Sequence, residues 1–141
     1  MPTTISDELR AFLLEGTRTA KVATVRENGR PHVAPVWFIL DGDTIVFTTW
    51  HETMKARNIR RTGQVSLAVD DQTPPYSFAI IDGMAELSDD LRQLEYWATE
   101  IARRYMGEEQ AESYGQRNGV PGELLVRVTP TKIIFATDIA L

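Results

Sequence analysis

Apolar residues along the chain first repeat at helical spacing and then alternate. Leu9, Phe12 and Leu13 share one helical face behind Ser6, Asp7 and Glu8 follow that N-cap, and Gly16 ends the segment. This predicts a short helix between Ser6 and Gly16. From Thr17 the alternation of strands takes over. Thr19 to Arg26 is rich in valine, threonine and alanine, and Glu27-Asn28-Gly29-Arg30 is a hairpin turn, because Asn-Gly accepts positive φ at little cost. His32 to Leu40 reads as the next strand, with Pro35 in its middle. A proline there gives no ladder hydrogen bond, so it marks an edge, a bulge or backbone facing a ligand. Asp41-Gly42-Asp43 turns the chain into a third strand, Thr44 to Thr49.

A helix from about Glu52 to Arg61 follows, closed by Thr62-Gly63. Gln64 to Val69 and Tyr76 to Leu87 are two further strands around a loop from Asp70 to Pro75. Ser88 is the expected cap of a longer helix, Asp89 to Met106, whose apolar face carries Leu91, Leu94, Trp97, Ala98 and Ile101. Glu108 to Tyr114 reads as one or two more helical turns, and glycine-rich Gly115 to Gly122 as loop. Glu123 to Thr129 and Lys132 to Thr137 are expected to form a hairpin around Pro130. Six or seven short strands with close turn signals and three helices predict a mainly β class: a small antiparallel barrel with peripheral helices. Strand and helix do not alternate regularly enough for a doubly wound sheet. With no linker or internal repeat, residues 1–141 are expected to form a single domain.

Composition narrows the classes of function. The chain is 43% hydrophobic and 25% charged, which is the balance of a globular protein. No apolar run reaches the roughly 18 residues of a membrane span. The N-terminus lacks the basic and apolar blocks of a secretory signal. Without cysteine, disulfides, thiolate metal sites and cysteine nucleophiles are excluded, and a cytoplasmic location is expected. Fifteen basic and 20 acidic side chains give a net charge of -5, which argues against nucleic acid as a partner while allowing a local anion site.

Side-chain acid–base chemistry is sparse. His32 and His51 lack metal-ligand spacing, so no metal is expected, and no serine sits in a nucleophile-elbow pattern. Neither dinucleotide-type nor Walker-type glycine loops occur. An activity here would have to come from a cofactor. Phe47 to Arg61 is the most informative stretch: Thr48 and Thr49 end a strand, Thr53 opens a helix, and Lys55, Arg57, Arg60 and Arg61 follow. Hydroxyls beside a helix N-terminus with an early lysine suit a phosphate, although a solvated basic helix would look the same. At about 100° per residue, Arg57 and Arg61 share a face that Lys55 does not. Pro35-Val36-Trp37 could bond and cover a planar heterocycle or be ordinary core. Tyr76-Ser77-Phe78, behind Pro74-Pro75, could be core, a subunit seam or a ring-stacking wall.

Taken together, Asn28-Gly29-Arg30-Pro31, Pro35-Val36-Trp37, the stretch Thr48-Thr49 to Met54-Lys55-Ala56-Arg57-Asn58-Ile59-Arg60-Arg61, and Val65 to Val69 resemble the pyridoxamine 5'-phosphate oxidase-like split-barrel proteins. Within that superfamily the chain looks most like the branch of F420-dependent flavin/deazaflavin oxidoreductases known as group B. The resemblance implies an FMN-binding type of split β-barrel, a homodimer, and cofactor clefts lined by both subunits. It places the cofactor phosphate at Thr48, Thr49, Thr53, Met54 and Lys55, the ring along Pro35, Val36 and Trp37, and a partner contribution at Tyr76 and Phe78. Arginines such as Arg57 would suit the coenzyme's acidic tail. Met54-Lys55 stands where flavin-using vitamin oxidases usually carry Arg-Lys, which favours coenzyme F420 over FMN. The implied activity is hydride transfer from the reduced deazaflavin to an unsaturated planar small molecule. An FMN-binding oxidase-like protein and a carrier that holds F420 or another heterocycle without turnover are the alternatives.

Overall fold

A computed structural model describes residues 2–141. Seven strands form one antiparallel sheet: β1 (Ala20–Val25), β2 (Pro31–Val36), β3 (Ile39–Asp41), β4 (Thr44–Trp50), β5 (Gln64–Asp71), β6 (Ser77–Ser88) and β7 (Glu123–Ala136). Four helices accompany it: α1 (Asp7–Leu14), α2 (Met54–Thr62), α3 (Leu91–Met106) and α4 (Glu108–Asn118). The strand order is β2-β1-β5-β6-β7-β4-β3, so the sheet is not closed by hydrogen bonds, and the two halves of one sequence stretch end as its opposite edges. The architecture is that of a split antiparallel barrel, as the strand pattern predicts.

The curled sheet encloses one main core. Val22, Phe38, Ile45, Phe47, Leu67, Ile81 and Val126 meet there, and Leu9 and Leu13 of α1 close it. Each such side chain contributes about 1.5–3 kcal/mol of burial. A smaller cluster of Val46, Leu94 and Leu125, with Ile39 and Trp97 against it, packs α3 on the outer face of β4 and β7. Leu91, expected on the apolar face of that helix, is instead exposed.

Five expectations are corrected. The stretch His32 to Leu40 is not one strand: it breaks at Trp37-Phe38, because side chains of α3 take the backbone groups of Phe38. Its N–H donates to the Tyr105 hydroxyl at 3.1 Å and its carbonyl accepts from Arg104 Nη1 at 2.8 Å. Pro35 is tolerated because β2 is an edge strand. Helix α2 begins at Met54, with Thr53 as its N-cap, and α3 is capped by Asp90, because β6 runs on through Ser88. The glycine-rich segment is not all loop: α4 continues to Asn118, and Gly115 lies in it because a Cβ there would sit 1.8 Å from Thr99 Oγ1 on α3. Finally, Pro130 makes no hairpin. β7 is one continuous strand along β6, and the register shift opposite Asp82 and Gly83 absorbs the proline in a bulge.

Candidate functional site

Strand pairing brings the end of β4 beside the start of β7, with Thr48 opposite Leu125 and Trp50 opposite Glu123. The turn into α2 is clamped there. The His51 backbone N–H and ring Nδ1 both donate to the Gly122 carbonyl, at 2.8 and 3.0 Å. Only glycine fits at position 122, since a Cβ would lie 2.3 Å from the Trp50 ring. This clamp carries Glu123 to the N-terminus of α2.

A cleft of about 300 Å³ opens at that point. Pro35, Val36 and Trp37 line it together with Thr48, Thr49 and Trp50 of β4 and with Thr53 and Lys55 at the start of α2. Ala98, Ile101 and Ala102 of α3, Asn118 and Glu123 complete the lining. Seven of the residues singled out in the sequence therefore share one cavity. The others do not. Met54 and Arg57 line a second hollow of about 460 Å³ with Arg26, Asn58 and Arg61, while Lys55 projects to the first, as the helical wheel requires. Tyr76 and Phe78 lie at the far end of β6, next to Asp70 and Ala136, and contribute nothing to the cleft of their own subunit.

The hydroxyls of the cleft are unequal. Thr53 Oγ1 accepts the Ala56 N–H at 3.2 Å as the cap of α2, and is 2.7 Å from Thr49 Oγ1 and 3.0 Å from the Trp50 carbonyl. Thr49 is 4% exposed and tied to Thr53, so the two act as a pair that fixes the helix start. Thr48, half-buried, has no side-chain partner among the described residues and is the hydroxyl free to bond a ligand. The N–H groups of Met54 and Lys55 likewise have no protein acceptor, as expected for the first turn. The Lys55 ammonium has neither a hydrogen bond nor an ion pair among the described residues. Burial lowers its pKa, and the Glu123 carboxylate partly offsets the effect. Burial raises Glu123 correspondingly, against the pull of Lys55. The donor set of one free ammonium, one free hydroxyl and the free backbone N–H of Lys55 suits a phosphate oxygen cluster.

The Pro35-Val36-Trp37 side of the cleft is held rigid. The Trp37 ring stacks on Tyr105 at 5.1 Å and 3°, and tilts against Tyr114 at 6.3 Å. Tyr105 is fixed in turn, donating to the Arg18 carbonyl at 2.7 Å and accepting from Phe38, and burial raises its pKa so that it stays a neutral donor. Arg104 ties the carbonyls of Leu13, Gly16 and Phe38 together and lies 4.6 Å over the Phe38 ring. Sequence reasoning missed Glu123, Asn118 and Tyr105 as parts of this site. Ala98 and Ala102, four apart on α3, were the one readable signal: small side chains leave room for a ligand against a helix. His32 keeps its Nδ1 buried without a partner, and burial, then Arg26 and Lys55, lower its pKa. Among the described residues no group of three or more ligating side chains could hold a metal ion, and no helix is long and apolar enough to cross a membrane.

Solved structures reproduce this architecture. A conserved hypothetical protein of Mycobacterium tuberculosis aligns with a TM-score of 0.83 at 22% identity, covering 99% of this chain and 90% of that one. A protein described as an F420 reductase aligns with a TM-score of 0.73 at 27% identity, covering 88% of this chain and 94% of its own. The heme storage protein HutZ of Vibrio cholerae aligns with a TM-score of 0.73 at 20% identity, covering 95% of this chain and 96% of its own, and so shares the fold. No curated protein sequence gives a significant match. The model of the pyridoxamine 5'-phosphate oxidase family matches residues 5–136, nearly the whole chain, and the chain belongs to that family.

Proposed function

We propose that the protein is an oxidoreductase that binds coenzyme F420 in the cleft and reduces an unsaturated planar small molecule. The observation that carries this reading is the pairing, within one cavity, of a phosphate-type donor set at Thr48, Lys55 and the start of α2 with the flat wall Pro35-Val36-Trp37. The 27% identical F420 reductase supports the deazaflavin over FMN, as does Met54 in place of an arginine. When bound, the reduced deazaflavin supplies the hydride. The chain's own residues bind, orient and exclude water. Lys55 and Thr48 hold the phosphate. Trp37, immobilised on Tyr105, fixes the height of the ring wall, and Ala98 and Ala102 leave space beside it. A homodimer completes the site, with Tyr76 and Phe78 of one subunit facing the cleft of the other and Arg57 and Arg61 meeting the acidic tail.

Side-by-side titration with F420 and FMN tests the cofactor, and loss of reduced-coenzyme absorbance with a panel of quinone and enone acceptors tests the reaction. The expected result is a colourless purified protein that prefers F420 and oxidises its reduced form. A yellow preparation retaining FMN would replace this reading with that of a flavin-binding oxidase-like protein. Tight F420 binding with no turnover on any acceptor would make the protein a carrier.

A further inference from the structure

Among the described residues that line the cleft, Lys55 is the one cation and Glu123 the one acid, and neither has a hydrogen-bond or ion-pair partner. A carboxylate is a poor neighbour for a phosphate, yet it is held there by construction. The His51–Gly122 clamp and the pairing of Trp50 with Glu123 leave the first residue of β7 no other place. The other charges nearby are engaged elsewhere. Arg127, further along β7, meets Asp41, and the His51 ring is turned to Gly122, with Glu52 beside it at 3.6 Å.

We propose that Glu123 is a specificity-determining residue whose carboxylate, sharing the cleft with Lys55, selects a singly charged phosphodiester and disfavours a terminal phosphomonoester. A phosphodiester carries one negative charge at neutral pH, so beside one Lys55 ammonium and one Glu123 carboxylate it leaves the cleft with a single excess negative charge. A terminal phosphomonoester carries about 1.5 to 2. Its excess charge meets Glu123 in a partly desolvated site, where like charges repel more strongly than in water. The inference rests on reading this cleft as the cofactor's phosphate site, and it explains how the fold could tell the diester-linked deazaflavin from FMN without contacting the ring.

The test is a set of binding titrations with the parent, Glu123→Gln and Glu123→Ala. FMN is compared with riboflavin, and F420 with its phosphate-free deazaflavin alcohol, so that the phosphate's contribution is isolated from that of the ring. Both variants should improve the FMN-to-riboflavin affinity ratio about tenfold, while the F420 ratio moves less than about threefold. Two variants with different side-chain volumes separate charge from packing, and thermal midpoints verify folding. Equal shifts for both cofactors, or no shift in either variant, would overturn the role of Glu123 while leaving the cleft as the binding site. If the parent binds neither cofactor, or Lys55→Ala leaves the affinity for both unchanged, the reading of the cleft fails and this inference falls with it.

Discussion

Lys55 and Glu123 share one cavity but respond differently to replacement. As a phosphate partner, Lys55 supplies a charge-assisted hydrogen bond of about 1.5–3 kcal/mol, so Lys55→Ala should weaken F420 binding about 10- to 150-fold. Thermal stability should hold within about 0.5 kcal/mol, because the ammonium has no protein partner to lose. Arg60→Ala, on an exposed face of α2, is the control that should leave affinity unchanged. An affinity loss confined to Arg60→Ala would place the phosphate on another face of the helix. Glu123 bears on stability instead. Burial raises its pKa in the folded protein, so its contribution to stability is full below its unfolded pKa of about 4.3 and is lost as pH rises through the folded value. Glu123→Gln should therefore match the parent at low pH and gain on it towards neutrality, which denaturant midpoints across that range would show. Lys55 was legible in the sequence because helix starts and lysines announce an anion site locally. Glu123 was not, because its position depends on a β4–β7 pairing that spans more than 70 residues.

Elements were legible where their signals are local. Ser6 caps α1 as its spacing predicts, accepting the Leu9 N–H at 3.2 Å, and Asn28-Gly29 makes the β1–β2 turn. The larger errors arise where a distant partner decides. Phe38 leaves the ladder for Tyr105 and Arg104, residues more than 60 positions away. Pro130 and Gly115 read as breakers, yet long strand pairing and the close approach of α3 to α4 override them. The start of α3 is a fair trial of this distinction, because Ser88 and Asp90 are both good capping residues. Asp90 Oδ1 accepts the N–H groups of Arg92 and Gln93 at 3.0 and 3.3 Å, whereas Ser88 Oγ accepts only that of Asp90, at 3.2 Å. Asp90→Ala should cost about 1 kcal/mol and Ser88→Ala a few tenths. Chemical denaturation of the two variants would decide, and a reversed order would put the cap back on Ser88.

At the scale of the molecule, the aromatic and aliphatic surface points to a second subunit. Val33 is 65% exposed on edge strand β2, and Tyr76, Met84 and Ile134 are each exposed by more than 40%. Met84 and Ile134 belong to β6 and β7, the two longest strands, and Tyr76 immediately precedes β6. Large apolar side chains exposed along central strands of a sheet are poorly suited to solvent and well suited to an interface. A symmetric dimer would cover them with the same surface of a second copy. It would also explain why Tyr76 and Phe78 stand apart from the cleft within one chain: they would serve the neighbour. Sedimentation should then give twice the 15.9 kDa chain mass at micromolar concentration. Ile134→Glu, which buries a charge in such a seam, should shift the species towards monomer and weaken F420 binding in the same variant, although position 134 lies outside the cleft. The paired readout matters, because a monomer that keeps full affinity would mean that one subunit builds the whole cofactor site. A parent protein that sediments as a monomer would remove the dimer from the mechanism altogether.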